Sequence, residues 1–154
     1  LQVGSKRKRF LGESKTDAVR LLLHKIQNKR FICFCTSIEQ AELLGGKNAI
    51  HSKKDNSLGI IDDFNTKKID NLFAVGMLQE GQNLTDIEAG VIVQLDGQER
   101  AFVQKFGRSL RATDPIQFIF YYKGTRDTEY LENVLEGIDL EYISEIDNLI
   151  DFEI

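Results

Sequence analysis

Four short apolar runs constrain this chain more than any other feature: FICFC (31–35), LFAVG (72–76), GVIVQL (90–95) and QFIFYY (117–122). Each is continuous rather than alternating, as expected of a strand covered on both faces in a parallel sheet. A shorter run, NAIH (48–51), is a fifth candidate. Helical patterns lie between them. SKTDAVRLLLHKIQN (14–28) opens with Ser14 as a plausible cap and carries Val19, Leu22, Leu23 and Ile26 at helical spacing. IEQAELLG (38–45) ends at Gly45, a suitable C-terminal residue. NSLGIIDDFN (56–65) sets Ile60, Ile61 and Phe64 on one side, and ERAFVQKFGRSLR (99–111) does the same with Phe102, Val103, Phe106 and Leu110. DTEYLENVLEG (127–137) and LEYISEIDNLI (140–150) read as two acidic helices after the last strand. Strand–helix alternation of this kind predicts an α/β domain: a parallel sheet of about five strands with helices on both faces.

At 154 residues the chain can build one domain with a sizeable core. One proline and twelve glycines leave no linker-like segment. No apolar run approaches the length of a membrane span, and the opening LQVGSKRKRF lacks the apolar stretch of a secretory signal. The chain begins without an initiator methionine, so we expect a piece of a longer protein. Cys33 and Cys35 are the only cysteines, one residue apart in a strand and therefore on one face. With His24 and His51 far away in sequence they make no four-ligand metal site, and small buried core thiols are the expected state. Reduced thiols suit a cytoplasmic protein.

The net charge of −4 is unevenly spread. Residues 1–30 hold nine Lys/Arg against two Asp/Glu, and residues 126–154 hold one against ten. The run Lys6-Arg7-Lys8-Arg9 reads as part of a nucleic-acid footprint, as a solvated edge, or as a leader from a preceding domain.

In a parallel α/β sheet, ligands gather at the carboxyl ends of the strands. That rule singles out Thr36 and Ser37, His51 and Ser52, Gly76 with the loop through Gly81 and Asn83, and Thr125, Arg126 and Asp127. Recognisable catalytic frames are missing. The sequence contains no HExxH, GxSxG or GxGxxG, and GESKT and GGKN lack the GxxxxGK[ST] frame of a phosphate-binding loop. The adjacent pair Asp62-Asp63 diverges by about 100° on a helix and reads as a solvated face. What remains is QKFGRSLRA (104–112), which sets Arg108 and Arg111 on one helix face just after Gly107 and Gln104. Guanidinium groups so placed suit either phosphate oxygens or neighbouring carboxylates.

The blocks around that pair resemble, in order, the second RecA-like domain of superfamily 2 helicases. RFICFCTSIEQAELL is similar to motif IV, and AIHSKKD with IIDDFN to the strand-His-Gly segment and helix that follow it. NLFAVGMLQEGQNLTD is similar to motif V, and GVIVQLDGQERAFVQKFGRSLR carries the Q-x-x-G-R-x-x-R pattern of motif VI. KTDAVRLLLHKI resembles the helix that introduces the domain, so the resemblance covers residues 14–125. It leaves 1–13 as a basic lead-in and 126–154 as an acidic helical tail packed on or following the domain.

The resemblance implies that ATP and Mg2+ bind in a cleft shared with an N-terminal RecA-like domain of the same protein, which supplies the Walker A loop and the magnesium carboxylate. Arg108 and Arg111 would then act as arginine fingers and Gln104 would position them, while Gly81, Asn83 and Gly107 line the ATP site. Thr36, Ser37, His51 and Gly76 would contact nucleic acid, DNA or alternatively RNA. Three positions depart from the family pattern: Asn83 where Asp is common, Val75 where many members carry Thr, and Ser52 in place of Gly. The wording of the Glu80–Asn83 stretch sits closer to DNA-repair and restriction-enzyme motors than to DEAD-box proteins. The expected function is the C-terminal half of an ATP-dependent helicase or translocase, inactive as an isolated piece. The alternatives are a nucleic-acid-binding or scaffold module of the same fold without motor activity, and a small-molecule enzyme on a similar sheet.

Overall fold

The computed structural model describes residues 2–76, 84–97, 99–101, 103–104 and 115–154. Five strands form one sheet: β1 (Phe31–Cys35), β2 (Ala49–Ile50), β3 (Asn71–Val75), β4 (Ala89–Ile92) and β5 (Ile116–Ile119). Their order is β2-β3-β1-β4-β5, and every pairing is parallel. The five apolar runs thus became the five strands. The register runs Phe31↔Asn71 to Cys35↔Val75 between β1 and β3, and Ile50↔Ala74 joins β2 to β3.

Alternation along the strands divides the core in two. Ile32 and Phe34 of β1 join Leu72, Ala74 and Ile92 on one face, under Ile60, Ile61 and Phe64 of α4 (Ser57–Asn65) and Val134 of α5 (Arg126–Leu135). Phe31, Cys33 and Cys35 point the other way, with Phe73, Val91 and Phe118, under Val19, Leu22 and Ile26 near α2 (Thr16–Lys25) and Ala41 of α3 (Ile38–Gly45). Helices cover both faces, so the strands are apolar throughout. Cys33 and Cys35 are buried free thiols whose sulfurs lie 3.9 Å apart on the second face. At the opposite edge from the strand carboxyl ends, Arg30 is pinned at 6% exposure. Its guanidinium donates to the Phe64, Ile69 and Thr85 carbonyls and stacks 3.6 Å from the Phe64 ring centroid.

Two expectations are corrected, and the basic run is located. The first helix does not start at a Ser14 cap. Residues Gln2–Ser14 form their own helix, α1, and α2 begins at Thr16 without a side-chain cap. The Ser14 hydroxyl is engaged instead by the Leu11 carbonyl and the Tyr122 hydroxyl, both at 2.7 Å.

The basic run lies on α1 and is largely consumed internally. Arg7 pairs with Asp127, Lys8 with Asp96 and Glu99, and Arg9 with Glu13 and Glu39. Finally, 140–150 is not a helix. It contains a single 3-10 turn, Leu140–Tyr142, followed by irregular chain. Acidic residues without basic partners one turn away disfavour a helix there. The segment is held by tertiary contacts instead: Lys25 donates to the Ile150 and Phe152 carbonyls, Lys123 pairs with Glu145 and Asp147, and Phe152 meets Phe118 edge-on at 6.1 Å. No helix among the described residues is long and apolar enough to cross a membrane.

Candidate functional site

Because all five strands are parallel, their carboxyl ends share one edge of the sheet. Reading across that edge, the chain presents His51 after β2, Gly76 after β3, Thr36 and Ser37 after β1, then 93–97 after β4 and 120–127 after β5. The register makes the first three neighbours. Cys35 pairs with Val75 and Ile50 with Ala74, so Thr36, Gly76 and His51 leave adjacent strands at nearly the same level.

Each of these positions has a distinct state. The Ser37 hydroxyl is 6% exposed and caps α3 by accepting from Gln40 N at 3.1 Å. Thr36 is half-buried, and both its backbone N and its hydroxyl donate to Gln40 Oε1, at 3.0 and 3.2 Å. Gln40 is itself locked, its amide donating to the Gly12 carbonyl and Thr16 Oγ1. The α1 helix comes so close here that a Cβ on Gly12 would lie 2.2 Å from Thr36 Oγ1.

His51 has a nearly buried ring. Nε2 meets Glu42 Oε1 at 3.1 Å, and Nδ1 has no hydrogen-bond partner among the described residues. Gly76 is exposed with φ +78°, and nothing lies within 4 Å of where a side chain would start. A left-handed glycine leaves its backbone open to close approach by a ligand. Gln104 is helical and half-buried, one residue after Val103, whose N donates to the Glu99 carbonyl at 2.7 Å. Arg108, Arg111, Gly107, Gly81 and Asn83 lie outside the described residues.

A buried polar cluster that the sequence did not reveal organises the other half of the edge. Asp127, fully buried, accepts from Gln94 Nε2 at 2.9 Å, from Tyr122 N at 3.0 Å, and from Lys15 and Arg7 at 3.4 Å. Lys15 is 5% exposed, donates to Gln94 Oε1 and the Phe120 carbonyl, and lies 4.7 Å above the Tyr122 ring. Burial alone would raise the Asp127 carboxyl. The Tyr122 and Gln94 hydrogen bonds with the Lys15 charge outweigh it and hold the group below the usual aspartate range. Burial lowers Lys15, partly opposed by Asp127.

Beside this cluster, Glu99 is 1% exposed and accepts from the backbone N of Asp96 at 2.6 Å and of Gly97 at 3.0 Å. Burial and the Asp96 carboxylate push the Glu99 carboxyl up, while Lys8 opposes them. The available signal was Gln94, a lone polar residue near the end of the apolar run GVIVQL. Asp127 had been marked only as a residue following the last strand.

The profile of the helicase conserved C-terminal domain matches residues 14–113. Among solved structures, the helicase domain of Pyrococcus furiosus Hef is similar with a TM-score of 0.54 and 21% identity, over 78% of this chain and 27% of that one. The yeast DEAD-box splicing factor Prp28 is similar with a TM-score of 0.56 and 16% identity, over 73% of this chain and 29% of that one. The chain therefore spans under a third of the length of either structure. No curated protein matches it. With the profile covering most of the chain and the five-stranded parallel sheet beneath it, the chain belongs to the helicase conserved C-terminal domain family.

Proposed function

We propose that this chain is the C-terminal half of the motor of an ATP-dependent DNA helicase or translocase, of the repair and restriction branch. The observation that carries the reading is the shared carboxyl edge. It sets Gly76, Thr36, Ser37 and His51 beside one another on one half of the sheet, and brings the Gln104 turn out of β4 on the other. An N-terminal RecA-like domain of the same protein faces this edge and holds ATP and Mg2+ through its own phosphate loop and carboxylates. Arg108 and Arg111 reach the γ-phosphate across the cleft, with Gln104 positioning them and Gly81, Asn83 and Gly107 lining the nucleotide.

An arginine finger stabilises charge on the transferring phosphoryl group and is worth about 10³–10⁵ in rate, or roughly 4–7 kcal/mol of barrier. On the nucleic-acid half, the exposed backbone of Gly76 offers the open contact, and His51 stands beside it with its ring nearly buried and its Nε2 engaged by Glu42. Of the two hydroxyl residues, Thr36 commits both its N–H and its O–H to Gln40, whereas Ser37 accepts the Gln40 N–H and keeps its own proton to donate. Contacts of this kind grip the sugar-phosphate backbone and do not read sequence. The isolated chain is expected to be inactive, and the full protein to work in the cytoplasm.

ATP turnover of the full-length protein, with and without DNA, in wild type and Arg108→Ala, tests the reading. DNA-stimulated turnover that collapses in the variant supports it. Turnover unaffected by the substitution removes the arginine finger, and no turnover in wild type leaves a binding-only module.

A further inference from the structure

Helix α1 turns one face away from the sheet, and that face carries a pattern the motor does not use. Lys6, Phe10 and Ser14 recur four residues apart, so they form one stripe along the helix. Lys6 is exposed and pairs with no carboxylate among the described residues. Phe10 is 71% exposed. Ser14 ends the stripe with a 2.7 Å hydrogen bond to the Tyr122 hydroxyl, which brings a second exposed ring alongside. That ring is braced by the Lys15 ammonium, 4.7 Å from its centroid. Lys123 follows directly, and here anions are already in place. Its Nζ lies 2.7 Å from both Glu145 Oε1 and Asp147 Oδ1, and the Tyr121 hydroxyl donates to the same Glu145 oxygen at 2.6 Å.

We propose that Lys6, Phe10, Tyr122 and Lys123 form an accessory track for single-stranded DNA, and that Glu145 and Asp147 hold its Lys123 end in place of a backbone phosphate. The track rests on the reading that the protein works on DNA, and it lies outside the strand-end residues named for the motor. Exposed rings between cations suit a single strand: bases stack on the rings while the cations follow the backbone. The distribution of charge supports an anionic occupant. Residues 1–125 hold nineteen Lys/Arg against fourteen Asp/Glu, whereas 126–154 hold one against ten. The body of the chain attracts a polyanion, and the acidic segment opposes it from its seat on Lys123. Both of those ion pairs are largely exposed. Such pairs are weak and screened by salt, so a phosphate backbone displaces them and the segment acts as a reversible brake.

The test uses the full-length protein without nucleotide and a fluorescently labelled oligothymidylate, with affinity read by anisotropy at stepped salt. Phe10→Ala is expected to weaken binding about tenfold, the loss of one stacked base, and Phe10→Tyr to restore it. Because the Phe10 ring is exposed, its truncation leaves the core untouched. Lys6→Met flattens the slope of log K against log salt by about 0.7, one phosphate contact on a single strand. Glu145→Gln with Asp147→Asn tightens binding and steepens that slope by about 0.7, and adding Lys123→Met cancels the change. Asp139→Asn with Glu141→Gln removes the same charge from acids that pair with no cation among the described residues, and leaves the slope as in wild type.

Wild-type affinity in Phe10→Ala, with DNA bound by both proteins, overturns the track and leaves the motor reading standing. Equal steepening in the two carboxylate variants overturns the seat at Lys123, because it reports net charge alone. No binding of the oligonucleotide by wild type or by any variant, down to low salt, overturns the DNA reading itself.

Discussion

Replacing Asp127 by alanine tests the buried cluster most directly. The side chain is fully buried and accepts four donors, two of them cationic: Gln94, the Tyr122 backbone, Lys15 and Arg7. Truncation strands the Lys15 ammonium, 5% exposed, with only the Gln94 and Phe120 oxygens and the Tyr122 ring for company. Removing one partner of a buried ion pair costs about 3–5 kcal/mol, because the other charge stays desolvated. The upper part of that range applies here, since the Tyr122 and Gln94 N–H groups lose their acceptor as well. In a chain of this size such a loss lowers the melting temperature by on the order of 10 °C.

Urea unfolding followed by circular dichroism gives the free energy, and a Lys15→Met/Asp127→Leu double variant gives the control. With both charges gone, the double variant is expected to recover at least about 1 kcal/mol over Asp127→Ala. A loss below about 1 kcal/mol in Asp127→Ala would place the group in the range of solvated surface pairs and refute the buried-cluster account.

The same carboxyl predicts an acid-side dependence. Its folded-state pKa is depressed, so its contribution is fully present above the ordinary aspartate range and is lost as pH falls through the depressed folded value; Asp127→Asn should flatten that acid limb in urea titrations at stepped pH. Phe64→Ala removes a ring at 0% exposure on which the Arg30 guanidinium stacks, and should cost about 3–5 kcal/mol by the same denaturation assay. Gly12→Val forces a side chain onto Thr36 Oγ1, so α1 must shift; the expected cost is about 1–3 kcal/mol, with faster amide exchange confined to α1 and the Gln40 cap.

Much of the candidate site was legible because it depends on strand ends. Continuous apolar runs mark strands buried on both faces, and a parallel sheet sends every carboxyl end to the same edge, so Thr36, Ser37, His51 and Gly76 could be named from their places in the sequence. What they do there was less legible. Ser37 and Thr36 carry hydroxyls suited to an anion, yet Thr36 spends its proton on Gln40 and the Ser37 oxygen is held in the α3 cap. The basic run was open to several readings from charge alone, and three of its four cations proved to be paired within the chain.

The sequence by itself determined the class of fold, the positions of the strands, the amphipathic helices between them and the Q-x-x-G-R-x-x-R frame, because each rests on spacing within about a dozen residues. The tertiary structure alone decided the rest. It put β1 in the middle of the sheet, made Lys15 and Asp127 partners across 112 positions of chain, and fastened Lys8 to Asp96 across 88. It also left the acidic stretch after Leu140 without the helix that its composition suggested. Periodicity records which side of an element is buried. It carries no record of which distant charge waits on that side, and the Lys15–Asp127 and Lys8–Asp96 contacts at the carboxyl edge are of that second kind.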